Sequence, residues 1–296
     1  LNKKQFRKIM KTFDLIVIGS GAGLNVANEV ARSGKKVAIV EKGPMGGTCL
    51  NRGCIPSKIV IHSADVAETV RNAAKFGITA NITNIDLPSA TKRASMTVDK
   101  SAVNIETALK GNRNPTLIKG TATFTGKNTI KVNNKTFKGK KILIAVGARP
   151  FIPPIPGLDK VKYMTSTEAL RLKKAPKHLV VIGGGYIGVE LGFFYAGMGT
   201  KITVIQRNIR LIPREDGEIA QLVTDIWKKK YNVITKAYAH RVEQNGKAIT
   251  VHVKKGNKEI KVTGDALLVA TGVKPYSDTL NLEKTGVKTN KRGYIH

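Results

Sequence analysis

The chain is short of acid and nearly without cysteine. Its 296 residues hold 20 Asp and Glu against 51 Lys and Arg, a formal net charge of +31. Two cysteines are too few for a disulfide-stapled secreted scaffold. Aromatic residues make up only 5%, which leaves little from which to build the stacking platforms of single-strand nucleic-acid binders. No apolar run approaches the roughly 20 residues of a membrane-spanning helix, and the longest, LVVIGGGYIGV, is interrupted by glycine. The N-terminal LNKKQFRKIMK is basic and lacks the apolar core of a secretory signal. Together these absences give a cytoplasmic globular protein with no membrane span as the expectation.

The positive charge attracts polyanions. The lysines are spread along the whole chain, however, with no RNP or zinc-finger pattern, so the expectation is weak, salt-sensitive anion binding and no specific nucleic acid. Length allows about two domains. Both ends read as cut. Residue 1 is Leu, Met10 opens the first strand-like segment, and the chain stops at RGYIH as another extended segment begins.

What is present is one plan used twice. FDLIVIGSGAGLNVANEVARSGKKVAIVEKG (13–43) and KHLVVIGGGYIGVELGFFYAGMGTKITVIQRN (177–208) each run apolar strand, glycine cluster, helix, glycine break, second apolar strand. That is a βαβ unit whose strands are buried on both faces. Between the copies, NTIKVNNKTFKGKKILIAVGARP reads as antiparallel strands turning at Asn133-Asn134, and ARPFIPPIPG as an extended linker. ITVHVKKGNKEIKVT reads as a hairpin turning at Gly256-Asn257, and DALLVATGVKP repeats the strand–Gly–Pro pattern of KILIAVGARP. The predicted fold class is α/β, with two Rossmann-like doubly wound domains, the second inserted in the first. The expected boundaries are a basic extension over 1–11, a first domain over 12–148, a second over 149–272, and a return to the first over 273–296.

Gly183, Gly185 and Gly188 spell GxGxxG between strand and helix. The first glycine permits the tight turn, the second lets a pyrophosphate approach the backbone, and the third lets helix and strand pack closely. The first loop has Gly19 and Gly21 but Leu24 at the third position, with Gly23 beside it, so its helix must pack somewhat differently. Glu41, ending the second strand, suits a ribose diol. The matching position in the second copy is Gln206, followed by Arg207 with Arg210 nearby. Losing a carboxylate and gaining arginines favours NADP over NAD, unless these arginines only share in the general excess of positive charge.

Cys49 and Cys54 stand in GGTCLNRGCIPSK. A structural zinc site wants four ligands, and the five histidines are isolated in sequence, so no metal is expected. In a regular helix these two positions lie roughly 8–9 Å apart, too far for a disulfide. Asn51-Arg52-Gly53 can loop the backbone inward, and Pro56 fits the first turn of a following helix. That helix start favours a thiolate at Cys54, and Lys58 adds positive charge. A pair of inert thiols is the other reading.

In this order, the glycine loop, Glu41, GGTCLNRGCIPSK and the second glycine loop resemble the pyridine nucleotide–disulfide oxidoreductases, most of all the dihydrolipoamide dehydrogenase and mycothione reductase-like members. The resemblance covers residue 12 onward. It implies FAD at Gly19, Gly21, Gly23, Glu41, Lys42, Gly47 and Thr48, with Ala122, Val146, Gly147 and Ala148 contributing backbone. It implies Cys54 as the thiol beside the flavin and Cys49 as the interchange thiol. It places Lys58 near the flavin N5, paired with Glu190, and Tyr186 as a gate over the flavin. It puts NAD or NADP at Gly183, Gly185, Ile187, Gly188, Glu190, Gln206, Arg207, Val242 and Gly272. The substrate it implies is a small or protein-bound disulfide or dithiol of lipoyl type, handled by a homodimer. Two segments the family carries, a later Asp that binds FAD and a C-terminal domain with a His-Glu acid–base dyad, fall outside these 296 residues. The glutathione reductase sequence VNVGCVPKK differs from LNRGCIPSK, whereas mercuric reductases remain an alternative. A non-catalytic nucleotide- or anion-binding fragment is the competing reading of another class.

Overall fold

The computed structural model describes residues 10–296, and residues 1–9 of the expected N-terminal extension lie outside them. In chain order the first elements are β1 (Lys11–Ile18), α1 (Gly23–Arg32), β2 (Val37–Glu41), α2 (Gly47–Arg52), α3 (Cys54–Arg71) and α4 (Leu87–Gly111). Strands β3 (Thr116–Lys119), β4 (Ala122–Gly126), β5 (Thr129–Val132), β6 (Lys135–Ile144) and β7 (Ala148–Pro150) follow. Then come α5 (Ser166–Ala169), β8 (His178–Ile182), α6 (Tyr186–Gly197), β9 (Lys201–Gln206) and α7 (Gly217–Lys230). The chain closes with β10 (Asn232–Thr235), β11 (Tyr238–Asn245), β12 (Ala248–Lys255), β13 (Lys258–Gly264), β14 (Ala266–Val269) and β15 (Val273–Pro275). Lys11, read from sequence as extension, already belongs to β1, where it pairs with Phe137. Among the described residues no helix is long and apolar enough to cross a membrane.

Two compact units result: one of the residues up to Asn51 with Asp99–Arg149 and Lys274–His296, the other of Arg52–Val98 with Pro150–Val273. Residues 52–98, which the sequence groups with the first domain, pack with the second unit. The cause is α3, which lies along α6 so closely that a Cβ on Gly197 would stand 2.4 Å from the Ala64 Cβ.

The first unit is a six-stranded sheet in the order β3-β2-β1-β6-β5-β4. β3, β2, β1 and β6 are parallel, and β5 and β4 extend the sheet antiparallel. Its central strands β1 and β2 read as apolar runs, LIVI and VAIV, because both faces are covered there. Phe13, Ile16 and Ile18 of β1 enter a core with Val40, Phe124 and Phe137, while Leu15 and Val17 enter another with Ala27, Ile39 and Leu109. The expected turn between β5 and β6 is present, with Asn133 at φ +52°. α1 stops where Ser33 caps it and Gly34 takes φ +81°.

The second unit holds a parallel sheet, β10-β9-β8-β14, and an antiparallel one, β11-β12-β13. Leu179 and Val181 of β8 face the core shared with α3 and α6, and Val180 and Ile182 face the core shared with β11 and β12. Apart from Glu190, α6 (YIGVELGFFYAG) carries no charged side chain, because α3, the parallel sheet and Trp227 of α7 pack around it.

Two expectations follow. A Cβ on Gly188 would lie 2.0 Å from the Gly183 carbonyl oxygen, whereas one on Gly185 would meet nothing within 4 Å. Gly188→Ala therefore costs about 1–3 kcal/mol as overpacking, or a melting shift of roughly 2–4 °C per kcal/mol in a domain of this size. Gly185→Ala leaves the melting temperature nearly unchanged, and thermal denaturation of both variants checks the contrast. In the first unit Asp278 accepts from Arg149 at 2.9 and 2.7 Å and pairs with Lys274 at 2.8 Å. Those donors hold its carboxyl well below the usual range, Arg149 most of all. The stabilisation is then present above the unfolded pKa of about 3.9 and is lost as pH falls through the folded value. Asp278→Asn lowers stability at pH 7 by about 1 kcal/mol or less, since the pair is partly solvated, and flattens the acid limb of a melting-temperature profile.

Candidate functional site

The two glycine loops are built alike. In the first, Gly19 takes φ +105°, its amide donates to Val40 O, and a Cβ there would stand 2.2 Å from the Ala145 carbonyl oxygen. In the second, Gly183 takes φ +108°, its amide donates to Ile205 O, and the blocking atom is the Ala270 carbonyl oxygen at 2.3 Å. Only glycine meets both demands. Gly188 makes the close helix–strand contact in the second loop. In the first loop Gly23 does so one residue early: its Cβ would meet Val17 Cγ1 at 2.6 Å and Ala145 Cβ at 2.8 Å. Leu24 is thereby free to pack into the core of that face.

The acidic end of β2 is wired into the first loop. Glu41 Oε2 accepts from the Ser20 amide at 3.0 Å and the Ser20 hydroxyl at 2.7 Å, and its Oε1 accepts from the Gly43 amide at 2.8 Å. Ser20 Oγ also accepts from the Gly46 amide at 3.1 Å, so one buried hydroxyl joins the loop, Glu41 and the GGTC segment. A carboxylate offers about four acceptor sites, and three are used here. Gly47 brings its backbone against Gly21, leaving 2.6 Å between a Cβ on Gly47 and the Gly21 Cα. Asn51 donates to Met45 O and Gly47 O at 2.8 and 2.9 Å, while its Oδ1 is buried without a hydrogen-bond partner among the described residues. Neither Ser20 nor Asn51 stands out in the sequence as a site residue; the only signal is that Ser20 fills the middle of GxG and Asn51 follows Cys49 by two. Lys42 lies 4.3 Å over the Tyr276 ring, and the Tyr276 amide donates to Gly147 O. Ala122 opens β4, buried and paired with Val132, Val146 and Ala148 are half-buried, and Thr48 is exposed on α2.

In the second unit Gln206 stands where Glu41 stands in the first. Its Oε1 accepts from the Gly184 amide at 3.4 Å and its Nε2 donates to Arg210 O at 3.1 Å. The amide is buried and spends its polar atoms on the loop. Arg207 is exposed, and Arg210 is turned toward α7 by Gln221 Oε1 at 3.0 Å. Lys58 Nζ meets Glu190 Oε1 at 2.5 Å, linking α3 to α6. With side chains 61% and 36% exposed, that pair adds little stability, and its effect is to aim Lys58. Tyr186 begins α6, half-exposed, and its phenol donates to Glu215. Ile187 is half-buried in the α6 core. Val242 is buried on β11 beside Val251 of β12, its amide is donated to Pro156 O, and a Cβ on Gly157 would stand 2.0 Å from its carbonyl oxygen, so little of its backbone is open to a ligand. Gly272 takes φ +110° at the end of the β14 turn.

Around the cysteines the backbone differs from the looped form expected. Asn51 and Arg52 are helical in α2, and Gly53 alone breaks the path, at φ −136° and ψ −118°, before Cys54 opens α3. Both cysteines are exposed. Cys54 and Lys58, four apart on α3, share a helix face. The histidines are less isolated than the sequence implies. His252 is buried between Glu243 at 2.7 Å and Glu259 at 2.8 Å, with the His240 ring 6.1 Å away. Among the described residues no group of His, Cys, Asp and Glu is arranged to hold a metal ion.

The residues of these loops suit a dinucleotide. A Cβ on Gly147, Gly185 or Gly272 would meet no protein atom within 4 Å, so the backbone there is open to a ligand. α1 and α6 both start at a glycine loop, where helix N-termini favour phosphate. The orphan Asn51 Oδ1 and the unused acceptor capacity of Glu41 call for donors that the described residues do not supply.

Comparison with known proteins agrees with this reading. Residues 13–296 match the family model for pyridine nucleotide-disulphide oxidoreductases. The chain is 39% identical over 285 residues to a mercuric reductase of Staphylococcus aureus, covering 96% of this chain and 52% of that protein. It is 37% identical over 290 residues to the dihydrolipoyl dehydrogenase of Bacillus subtilis (strain 168), covering 95% and 61%. Among solved structures, a Cu(II) complex of the HOCl-induced flavoprotein disulfide reductase RclA from Escherichia coli superposes with a TM-score of 0.85 at 31% identity, covering 97% of this chain and 62% of that one. The chain thus spans about half to three-fifths of the length of these relatives. Paired glycine loops, each closed by a strand-end carbonyl, and a family match over nearly every described residue lead to one conclusion: this chain belongs to the pyridine nucleotide–disulphide oxidoreductases.

Proposed function

We propose that the protein passes two electrons between a nicotinamide coenzyme, FAD and a Cys49–Cys54 disulfide, and from there to a dithiol or disulfide substrate of lipoyl type. The observation that carries this is the pair of matched dinucleotide loops in one chain with the two cysteines. Neither half alone gives a relay. FAD supplies the carrier that accepts hydride on one side and exchanges electron pairs with a thiol on the other.

In this reading Ser20, Glu41 and Gly46 fix the first loop for the FAD pyrophosphate and ribose, with Gly19, Gly21, Gly23, Lys42, Gly47, Thr48, Ala122 and Val146–Ala148 lining the same site. Gly183, Gly185, Ile187, Gly188, Gln206, Arg207, Val242 and Gly272 serve the coenzyme. Glu190 orients Lys58 toward the flavin N5. In the reducing direction, two electrons open the Cys49–Cys54 bond. Cys49 Sγ then attacks one sulfur of the substrate disulfide and releases the other as a thiol. Cys54 Sγ next attacks Cys49 Sγ, freeing the second substrate thiol and restoring the Cys49–Cys54 bond. Oxidation of a dithiol runs the same steps backward. A homodimer in the reducing cytoplasm fits the family likeness. A second reading, delivery of the same electrons to a thiol-bound mercuric ion as substrate, is supported by the 39% identity to mercuric reductases.

Anaerobic reduction of the FAD-loaded full-length protein is expected to give long-wavelength absorbance from the Cys54 thiolate against the flavin. Cys54→Ser abolishes that absorbance and Cys49→Ser retains it; no such band in the wild type refutes the relay. Steady-state rates with dihydrolipoamide and with Hg(II) separate the two substrates. For the coenzyme, the missing carboxylate at Gln206 and the exposed Arg207 favour NADPH, and Arg207→Ala is expected to raise the NADPH KM about tenfold, the effect of roughly 1.4 kcal/mol, while leaving that for NADH little changed.

A further inference from the structure

The segment between β9 and α7 overhangs the second glycine loop and is fastened to it at several points. Ile212 donates its amide to Gly184 O at 2.7 Å, and Leu211 donates to Thr224 Oγ1 at 2.9 Å. The Leu211 side chain lies where a Cβ on Gly184 would stand, 2.3 Å from it. Ile212 is held at φ +39°, a conformation a β-branched residue adopts only under constraint. These ties are buried. One further tie is exposed: the Tyr186 phenol, on the first residue of α6, donates to Glu215 Oε1. Glu215 is itself set by a turn, its amide donating to Ile212 O at 3.0 Å.

Tyr186 directly follows Gly185, whose front is open to a ligand, so its ring stands beside the path of any dinucleotide laid on the loop. An exposed charge-assisted bond can break and reform readily, unlike the buried ties around it. We infer that Glu215 is a positioning residue for the coenzyme: its carboxylate holds the Tyr186 ring at the mouth of the second loop, and coenzyme binding must break that bond. The inference rests on the second loop being the nicotinamide coenzyme site. Glu215 has a further consequence of the same sign, because a carboxylate near the start of α6 repels the pyrophosphate.

The test uses the full-length, FAD-loaded protein and its single tryptophan, Trp227, which packs on Gly192 of α6 in the same unit. Quenching of its fluorescence by NADPH and by NADH gives dissociation constants for wild type, Glu215→Gln, Tyr186→Phe and the double variant. Each single variant is expected to bind the preferred coenzyme about three- to fivefold more tightly, and the double variant no more tightly than Glu215→Gln. Independently of any nucleotide, Glu215 raises the Tyr186 phenol pKa. An ultraviolet tyrosine titration of Glu215→Gln should therefore show one phenol returning toward the ordinary range, a change absent when Tyr186→Phe is the background. Unchanged or weaker binding in both single variants, with wild type binding normally, overturns the latch. If wild type binds neither coenzyme while the tyrosine titration behaves as stated, the coenzyme reading fails and the latch falls with it.

Discussion

Ala145 O and Ala270 O occupy the positions where a side chain on Gly19 and on Gly183 would have to stand, and both glycines are held at a left-handed φ near +105°. This contact between a loop and the carbonyl at the end of the neighbouring strand sets the rest of each site. It turns the chain sharply enough for the next residues to begin a helix, so that the first amides of α1 and α6 face outward over the loop. It also brings Ser20 and Gly184, the middle residues of each GxG, within reach of the side chain that ends the second strand. Glu41 and Gln206 are thereby assigned their places by backbone geometry before any ligand is considered. A Cβ on either first glycine would push the loop away from its sheet and uncouple all three features.

Much of this was legible in sequence because it depends on backbone-specific residues. Few turns besides a phosphate-binding one require glycine at fixed offsets after a β-branched run, and GGTCLNRGCIPSK is specific for the same reason. The compensation at Gly23 was not legible, since a motif counts positions whereas the helix needs only a missing side chain near Val17. α4 is not legible because half of its buried stripe, Leu87, Ala90, Ala94, Val98, Ala102 and Leu109, is alanine and gives a weak periodic signal. β11 is not legible because a register shift between Ala239 and Arg241 sets His240 and Arg241 side by side and breaks the alternation of a strand. The partners of Ser20 and Glu215 lie 21 to 29 residues away, set by which strands and helices lie side by side. No local pattern encodes them.

The two strand-end side chains show how one atom changes what a loop can recognise. Glu41 takes three protein donors and is still an acceptor with capacity to spare, so hydroxyl groups are its natural remaining partners. Gln206 replaces one oxygen with an NH₂ group and gives that group to Arg210 O. Its remaining oxygen accepts from Gly184 at 3.4 Å and keeps one lone pair, but no negative charge there opposes a phosphate. In the coenzyme reading proposed above, discrimination between a bare and a phosphorylated ribose would rest on Arg207, since Arg210 is drawn toward Gln221.

The scarcity of acid gives these few carboxylates more weight than their number implies. At physiological ionic strength the field of distant lysines is screened over about 8 Å, so the net charge of +31 draws anions toward the protein without telling them where to bind. Local selection falls to groups inside that distance. Glu41 holds Ser20 and Gly43, Glu190 holds Lys58, and Glu215 holds Tyr186. Each of the three is committed to donors at or beside a dinucleotide loop. Substituting a surface lysine removes one part of a diffuse field, whereas substituting one of these carboxylates releases a specific side chain from a specific position.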